Sequence, residues 1–117
     1  MFYTFTKSHL KKTRRKRRLS GLVEIHHVIP REHAKHPTII QNNYKMEKRY
    51  NLVFCPSEMG KNVLNLREER PVHSGGHREY NEFVKYQLDN CIDKDDFFVL
   101  WFFLLMACRG FYKVPWK

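Results

Sequence analysis

An unbroken apolar run, Phe97 to Cys108, constrains this chain more than any other feature. Its twelve residues are too few to cross a bilayer, which takes about twenty. As a helix they would be apolar on every side of the axis, so the helix has to be covered on most sides by the chain's own core or by a second subunit. Homodimerisation through residues 97–108 is therefore expected. Asp93, Asp95 and Asp96 suit the positive end of that helix, and Arg109-Gly110 suits its close. A chain of 117 residues amounts to about one domain and buries roughly two thirds of its unfolded surface in one core. With 42% hydrophobic residues, including nine Phe, six Tyr and two Trp, it is not expected to be disordered overall.

Three Cys with no C-x-x-C pair exclude a full set of internal disulfides and a Cys-based zinc cluster, and they favour a reducing compartment. The basic cluster near the amino terminus follows a few apolar residues instead of preceding an apolar stretch, which is not the order of a secretory signal peptide. The expected location is intracellular, in cytoplasm or nucleus, with no membrane contact.

Charge is unevenly spread. The chain carries 22 Lys and Arg against 12 Asp and Glu, a formal +10. Eight of the basic residues are Lys7, Lys11, Lys12, Arg14, Arg15, Lys16, Arg17 and Arg18, and residues 1–20 contain no acid. Removing those eight leaves fourteen basic and twelve acidic groups over residues 21–117, a net of +2. A like-charged block repels itself and has little to bury, so residues 1–20 are expected to form a flexible or extended basic tail until a polyanion neutralises them. Such a tail binds phosphates through counterion release, with steep salt dependence and little sequence reading. Lys11 to Arg18 also has the form of a nuclear import signal.

The rest divides into a core over residues 21–92 and an apolar C-terminal helix within 93–117. Leu22 to Ile29 reads as a strand stopped by Pro30, and Leu52 to Cys55 as a short strand stopped by Pro56. Arg31 to Pro37 reads as a loop, Thr38 to Tyr50 is ambiguous, and Glu58 to Glu69, with Gly60 inside it, reads as irregular. Tyr80, Phe83, Val84, Gln87, Leu88 and Cys91 share one face of a helix expected over 77–90.

Four of the seven His form two pairs, His26-His27 in the first strand and His73-x-x-x-His77 ahead of that helix. Neighbours on a strand point to opposite faces, so a doublet can set one imidazole on a metal and the other on a water. Residues four apart on a helix share a face, a spacing suited to two ligands of one ion. The two pairs can supply three ligands and one general base. Plainer readings stand beside this: one core and one surface His in the doublet, a capping or solvent-facing pair at 73 and 77, and a turn residue at Asn51. His33 and His36 are expected to be exposed, Tyr80 to be core, and the three Cys to act as small apolar residues.

The strings Glu24-Ile-His26-His27-Val-Ile-Pro30, Asn51-Leu-Val-Phe-Cys-Pro56 and Pro71-Val-His73-Ser-Gly-Gly-His77-Arg-Glu-Tyr80-Asn81, in this order over residues 22–90, resemble the HNH or His-Me finger endonucleases. The similarity is closest to the branch with an Ala-His-His style doublet, found in polymorphic toxins and phage or viral nucleases, and extends to colicin-type DNases. The resemblance implies an α+β fold, a small ββα-metal core with added helices, gripping one divalent ion (Mg2+, Mn2+, Ni2+ or Zn2+). It implies His26, His73 and His77 as metal ligands, His27 as general base, Asn51 as the residue that pins the loop between the strands and keeps His27 aimed, and Tyr80 as packing support or a phosphate contact. Ile25 stands where the branch has Ala. Arg78 stands where Pro is usual, and its charge next to the ligands suits a phosphate.

The expected function is a metal-dependent endonuclease hydrolysing DNA with low sequence specificity. Lys11, Lys12, Arg14, Arg15, Lys16, Arg17, Arg18 and Arg78 are the expected nucleic-acid contacts. The alternative is a catalytically silent HNH-fold protein that binds DNA, RNA or chromatin through its Arg/Lys-rich segment. A delivered toxin domain with an immunity partner is a third class.

Overall fold

A computed structural model of the chain describes residues 7–72 and 76–116, with side chains from Leu10 onward. Five helices and one two-stranded sheet follow in the order α1 (Lys7–Lys16), β1 (Val23–His27), α2 (Pro37–Gln41), β2 (Leu52–Pro56), α3 (Glu58–Val63), α4 (Arg78–Asp89) and α5 (Lys94–Cys108), with 3-10 turns at Arg31–His33 and Arg49–Asn51. This small mixed α+β architecture is compatible with an HNH-like fold. Among the described residues no helix is long and apolar enough to cross a membrane.

The sheet is antiparallel, with His26 opposite Val53 and His27 opposite Leu52. The expected strand over 22–29 narrows to Val23–His27 for a local reason. Val28 N still donates to Asn51 O (2.8 Å), but at Ile29 a side chain, that of Asn51, replaces the backbone partner. Along β1 Val23 and His26 are buried, Ile25 and His27 are half-buried, and Glu24 is exposed, so both faces of the strand are largely covered.

Helix α1 corrects the expectation of an extended tail. Leu10 is buried, and the Arg14 guanidinium reaches the Val23 carbonyl and the Glu24 carboxylate, both at 3.4 Å. Arg14, Arg15 and Lys16 also fall in the last turn, where cations favour the helix dipole. One apolar anchor and this placement of charge oppose the self-repulsion on which the expectation rested. Lys11, Lys12, Arg15, Lys16, Arg17 and Arg18 remain exposed.

Helix α3 occupies a segment that reads as irregular. Ser57 caps it, its Oγ accepting from Gly60 N at 2.9 Å. Gly60, which looks like a helix breaker, is required by close approach: a Cβ there would lie 1.7 Å from the Leu22 carbonyl oxygen. The approach of α3 to the backbone just before β1 depends on having no side chain at that point.

Helix α4 buries Tyr80, Val84 and Leu88, at i, i+4 and i+8, on the core face of the sheet. Helix α5 is capped by Asp93, whose carboxylate accepts from Asp96 N at 2.9 Å, and buries Phe97, Leu100, Leu104, Ala107 and Cys108. Its other side is uncovered within one chain: Phe98 is 62% exposed, Val99 64% and Phe102 48%. All three Cys are free thiols. Burial raises the Cys55 and Cys108 thiols above their ordinary range, Cys108 to about 12, so both stay protonated core residues.

Candidate metal and catalytic site

His26 and His77 come together although 51 positions separate them in the sequence. β1 turns His26 into the core, and His77 sits at the N-cap of α4, directly before its first residue. Both are buried, their ring centroids are 5.1 Å apart at an interplanar angle of 76°, and each Nε2 atom is enclosed by protein. The expected helix face carrying both His73 and His77 is not the arrangement at His77, whose φ of 54° and ψ of 35° are left-handed. The helix starts one residue later, with Gly76 in a turn. His73 lies outside the described residues.

His77 Nδ1 is 2.9 Å from the Trp116 carbonyl. A carbonyl only accepts, so Nδ1 carries the proton and the lone pair of the neutral ring is on Nε2. This carbonyl-to-Nδ1 brace is the usual support of a metal-binding His. Two imidazoles bound at about 2.1 Å to one tetrahedral ion would have centroids about 5 Å apart. The donor chemistry and spacing of His26 and His77 thus fit a divalent ion, as two of its ligands. Among the described residues no group of three or more His, Cys, Asp or Glu side chains is arranged to hold one.

His27 lies on the opposite face of β1. Its side chain is 14% exposed and its Nε2 meets Glu47 Oε1 at 3.0 Å. The same carboxylate oxygen is ion-paired with Arg31 Nε at 3.3 Å. Held between a guanidinium and an imidazole, Glu47 accepts from the Nε2–H, which leaves Nδ1 as the basic nitrogen of neutral His27.

Asn51 is fully buried and uses its whole amide. Its Oδ1 accepts from Ile29 N (2.7 Å) and Tyr44 OH (2.6 Å), and its Nδ2 donates to Ile29 O (3.1 Å) and Met46 O (2.9 Å). Burial raises the Tyr44 phenol well above its usual range, which keeps that donor protonated. The amide therefore clamps the chain leaving β1, two residues after His27, to the segment entering β2. Tyr80 is likewise fully buried: its hydroxyl donates to Val28 O and its ring packs 5.3 Å from that of His26. It is a packing residue, out of reach of any phosphate.

His33 and His36 correct the expectation of exposure. His33 is buried, with Nε2 donating to Asn81 O at 2.9 Å. His36 caps α2, with Nδ1 accepting from Thr38 N (3.1 Å) and Nε2 meeting Asp89 Oδ1 (2.6 Å). The hydrogen bond from His36, and then that from Lys85, hold the Asp89 carboxyl below its ordinary range. The polar sequence around these two His hides partners that arrive from α4, about fifty positions away. Arg78 is exposed and pairs with Glu82 at 3.2 Å. Glu47, Arg31, Tyr44 and Trp116 carry no local sequence signal for the site. Only the fold brings them to it.

Histidines from one strand and one helix start thus stand together, with a buried amide fixing the loop between the strands. Residues 8–96 match the family described as AHH, a nuclease family of the HNH/ENDO VII superfamily with conserved AHH, and the chain belongs to that family. Here the motif reads Ile25-His26-His27, with an isoleucine in place of the alanine. Comparison with curated proteins and with solved structures returned no match. Nucleases of the superfamily generally use a divalent metal, and the family implies a nucleic-acid substrate.

Proposed function

We propose that this chain is a metal-dependent endonuclease that hydrolyses DNA with little sequence preference. One observation carries the reading: His26 and His77 meet ring to ring while His27, next in sequence to one of them, faces the other way beside a carboxylate. His26 and His77, with His73, would hold the ion. When bound, a divalent ion supplies Lewis-acid stabilisation of charge on the scissile phosphate and on the departing 3′ oxygen. His27 takes a proton from the attacking water at Nδ1, and Glu47 holds the ring and stabilises its protonated form. Asn51 keeps the strand end carrying His27 from shifting. Arg78, next to His77 at the start of α4, and the exposed cations of α1 and its end, Lys11, Lys12, Arg15, Lys16, Arg17 and Arg18, bind the phosphate backbone, with Arg14 behind them tied to Glu24.

Purified protein incubated with supercoiled plasmid is expected to nick it with Mg2+, Mn2+, Ni2+ or Zn2+ and to stop when EDTA is added. Absence of nicking with all four ions, with plasmid still bound, would favour the alternative of a silent binding protein that acts through α1. The uncovered Phe98, Val99 and Phe102 on α5 support a homodimer through 97–108. Light scattering is expected to return twice the 14.3 kDa chain mass, and a monomer at working concentration would remove that part of the proposal.

A further inference from the structure

Trp116 lies twenty residues beyond the end of the family match, yet it touches both buried histidines of the site. Its indole packs 4.8 Å from the His26 ring, 4.8 Å from the His77 ring and 5.2 Å from Tyr80. Its Nε1 donates to Val72 O at 2.6 Å, immediately before His73 in the chain. Its own carbonyl accepts from His77 Nδ1. One residue thus contacts β1, the start of α4 and the segment that leads to the remaining expected ligand.

We infer that Trp116 is a positioning residue for the proposed metal centre, fixing His77 in the Nδ1–H tautomer so that Nε2 keeps its lone pair beside the His26 ring. Left-handed backbone at His77 needs outside support, because a β-carbon is disfavoured there and the residue has no side-chain cap bond to its own helix. The Trp116 carbonyl supplies a partner on one edge of the imidazole, and the indole packs against both rings. Neither ring can then rotate without losing aromatic contact. The inference rests on the metal reading for its purpose, but its physical content concerns the ion-free chain.

The test uses the full chain and two variants, Trp116→Ala and Trp116→Phe. Long-range 1H–15N NMR on the ion-free protein reads the His77 tautomer, and calorimetry with Ni2+ reads the site. The parent protein is expected to have Nδ1–H at His77. Trp116→Ala keeps the backbone carbonyl but removes the indole packing and the Nε1–Val72 bond that hold that carbonyl in place, so it is expected to lose the single tautomer and to bind Ni2+ at least about tenfold more weakly, the range found for outer partners of metal ligands. Trp116→Phe, which keeps a ring against the imidazoles, is expected to restore both readouts to within about threefold of the parent. An unchanged tautomer in Trp116→Ala overturns the inference, whether or not Ni2+ affinity falls, and so does unchanged affinity after the tautomer is lost. Should Trp116→Ala fail to fold, Trp116 emission in a Trp101→Phe background decides, with quenching by Ni2+ expected and unquenched emission at saturation counting against it. If the parent fails to bind Ni2+ at all, the metal reading falls, and the tautomer comparison still decides the role of Trp116.

Discussion

Replacing His27 with alanine is expected to reduce plasmid nicking by a factor of about 100 to 10,000 while leaving the fold intact. The range is that of a positioned general base. Retention of the fold follows from its surroundings: the His27 side chain is at the margin of the core, and its partner is Glu47, about half exposed. A contact to a carboxylate of that exposure contributes roughly 0–1 kcal/mol. The thermal midpoint should therefore move by only about 4 °C or less for a chain of this size. His26→Ala should behave differently, because it removes a buried ring packed against His77, Tyr80 and Trp116 and so costs stability along with activity. Imidazole added to His27→Ala should recover part of the nicking, since the missing function is proton removal and truncation leaves a space the size of the lost ring. Parent-level nicking by His27→Ala would eliminate the base assignment, and a collapse of the thermal midpoint would mean that the ring is structural.

Much of this architecture was legible in the sequence because it follows short-range rules. The apolar runs stopped by Pro30 and by Pro56 mark β1 and β2, the periodic run Tyr80 to Leu88 marks α4, and the acids before Phe97 mark the start of α5. His26-His27 reads correctly as a doublet split between two faces because period-two alternation requires it. The failures share a cause: a partner far away in the chain decides the outcome. Helix α1 is a like-charged block by composition, but Leu10 and the Arg14–Glu24 contact attach it to β1. Gly60 weakens a local helix reading, whereas the Leu22 backbone makes it necessary. His33 looks solvated until Asn81 of α4 arrives, and the ring of Trp116 carries no pattern that points to two histidines. His77 is close to a helical reading and still misses it by one residue, since a left-handed N-cap is a tertiary matter.

Asn51→Ala is expected to cost about 3–5 kcal/mol, the largest stability loss of any single substitution near the site. The change removes two donors and two acceptor contacts from an amide with no solvent exposure, leaving Ile29 N, Ile29 O, Met46 O and Tyr44 OH to find other partners. Each buried polar group left unsatisfied costs about 1–3 kcal/mol, and four around one side chain do not add in full. For a domain whose total stability is about 5–15 kcal/mol, that is a large share. It corresponds to a fall in thermal midpoint of roughly 10–20 °C for a chain of this length. Asn51→Asp separates hydrogen bonding from shape. It keeps both acceptor contacts of Oδ1 and replaces the Nδ2 donors with an oxygen facing the Ile29 and Met46 carbonyls, so a carboxylate there meets two partners of its own polarity. It should unfold about as easily as the alanine variant, and more easily as pH rises, because the ionised form is the one repelled. Nicking should fall in both variants even below their thermal midpoints, since the strand end that carries His27 is no longer clamped to β2. Melting followed by circular dichroism checks this: a midpoint within about 3 °C of the parent for Asn51→Ala, equivalent to under about 1 kcal/mol, would mean that the Val28–Asn51 backbone bond alone holds the loop.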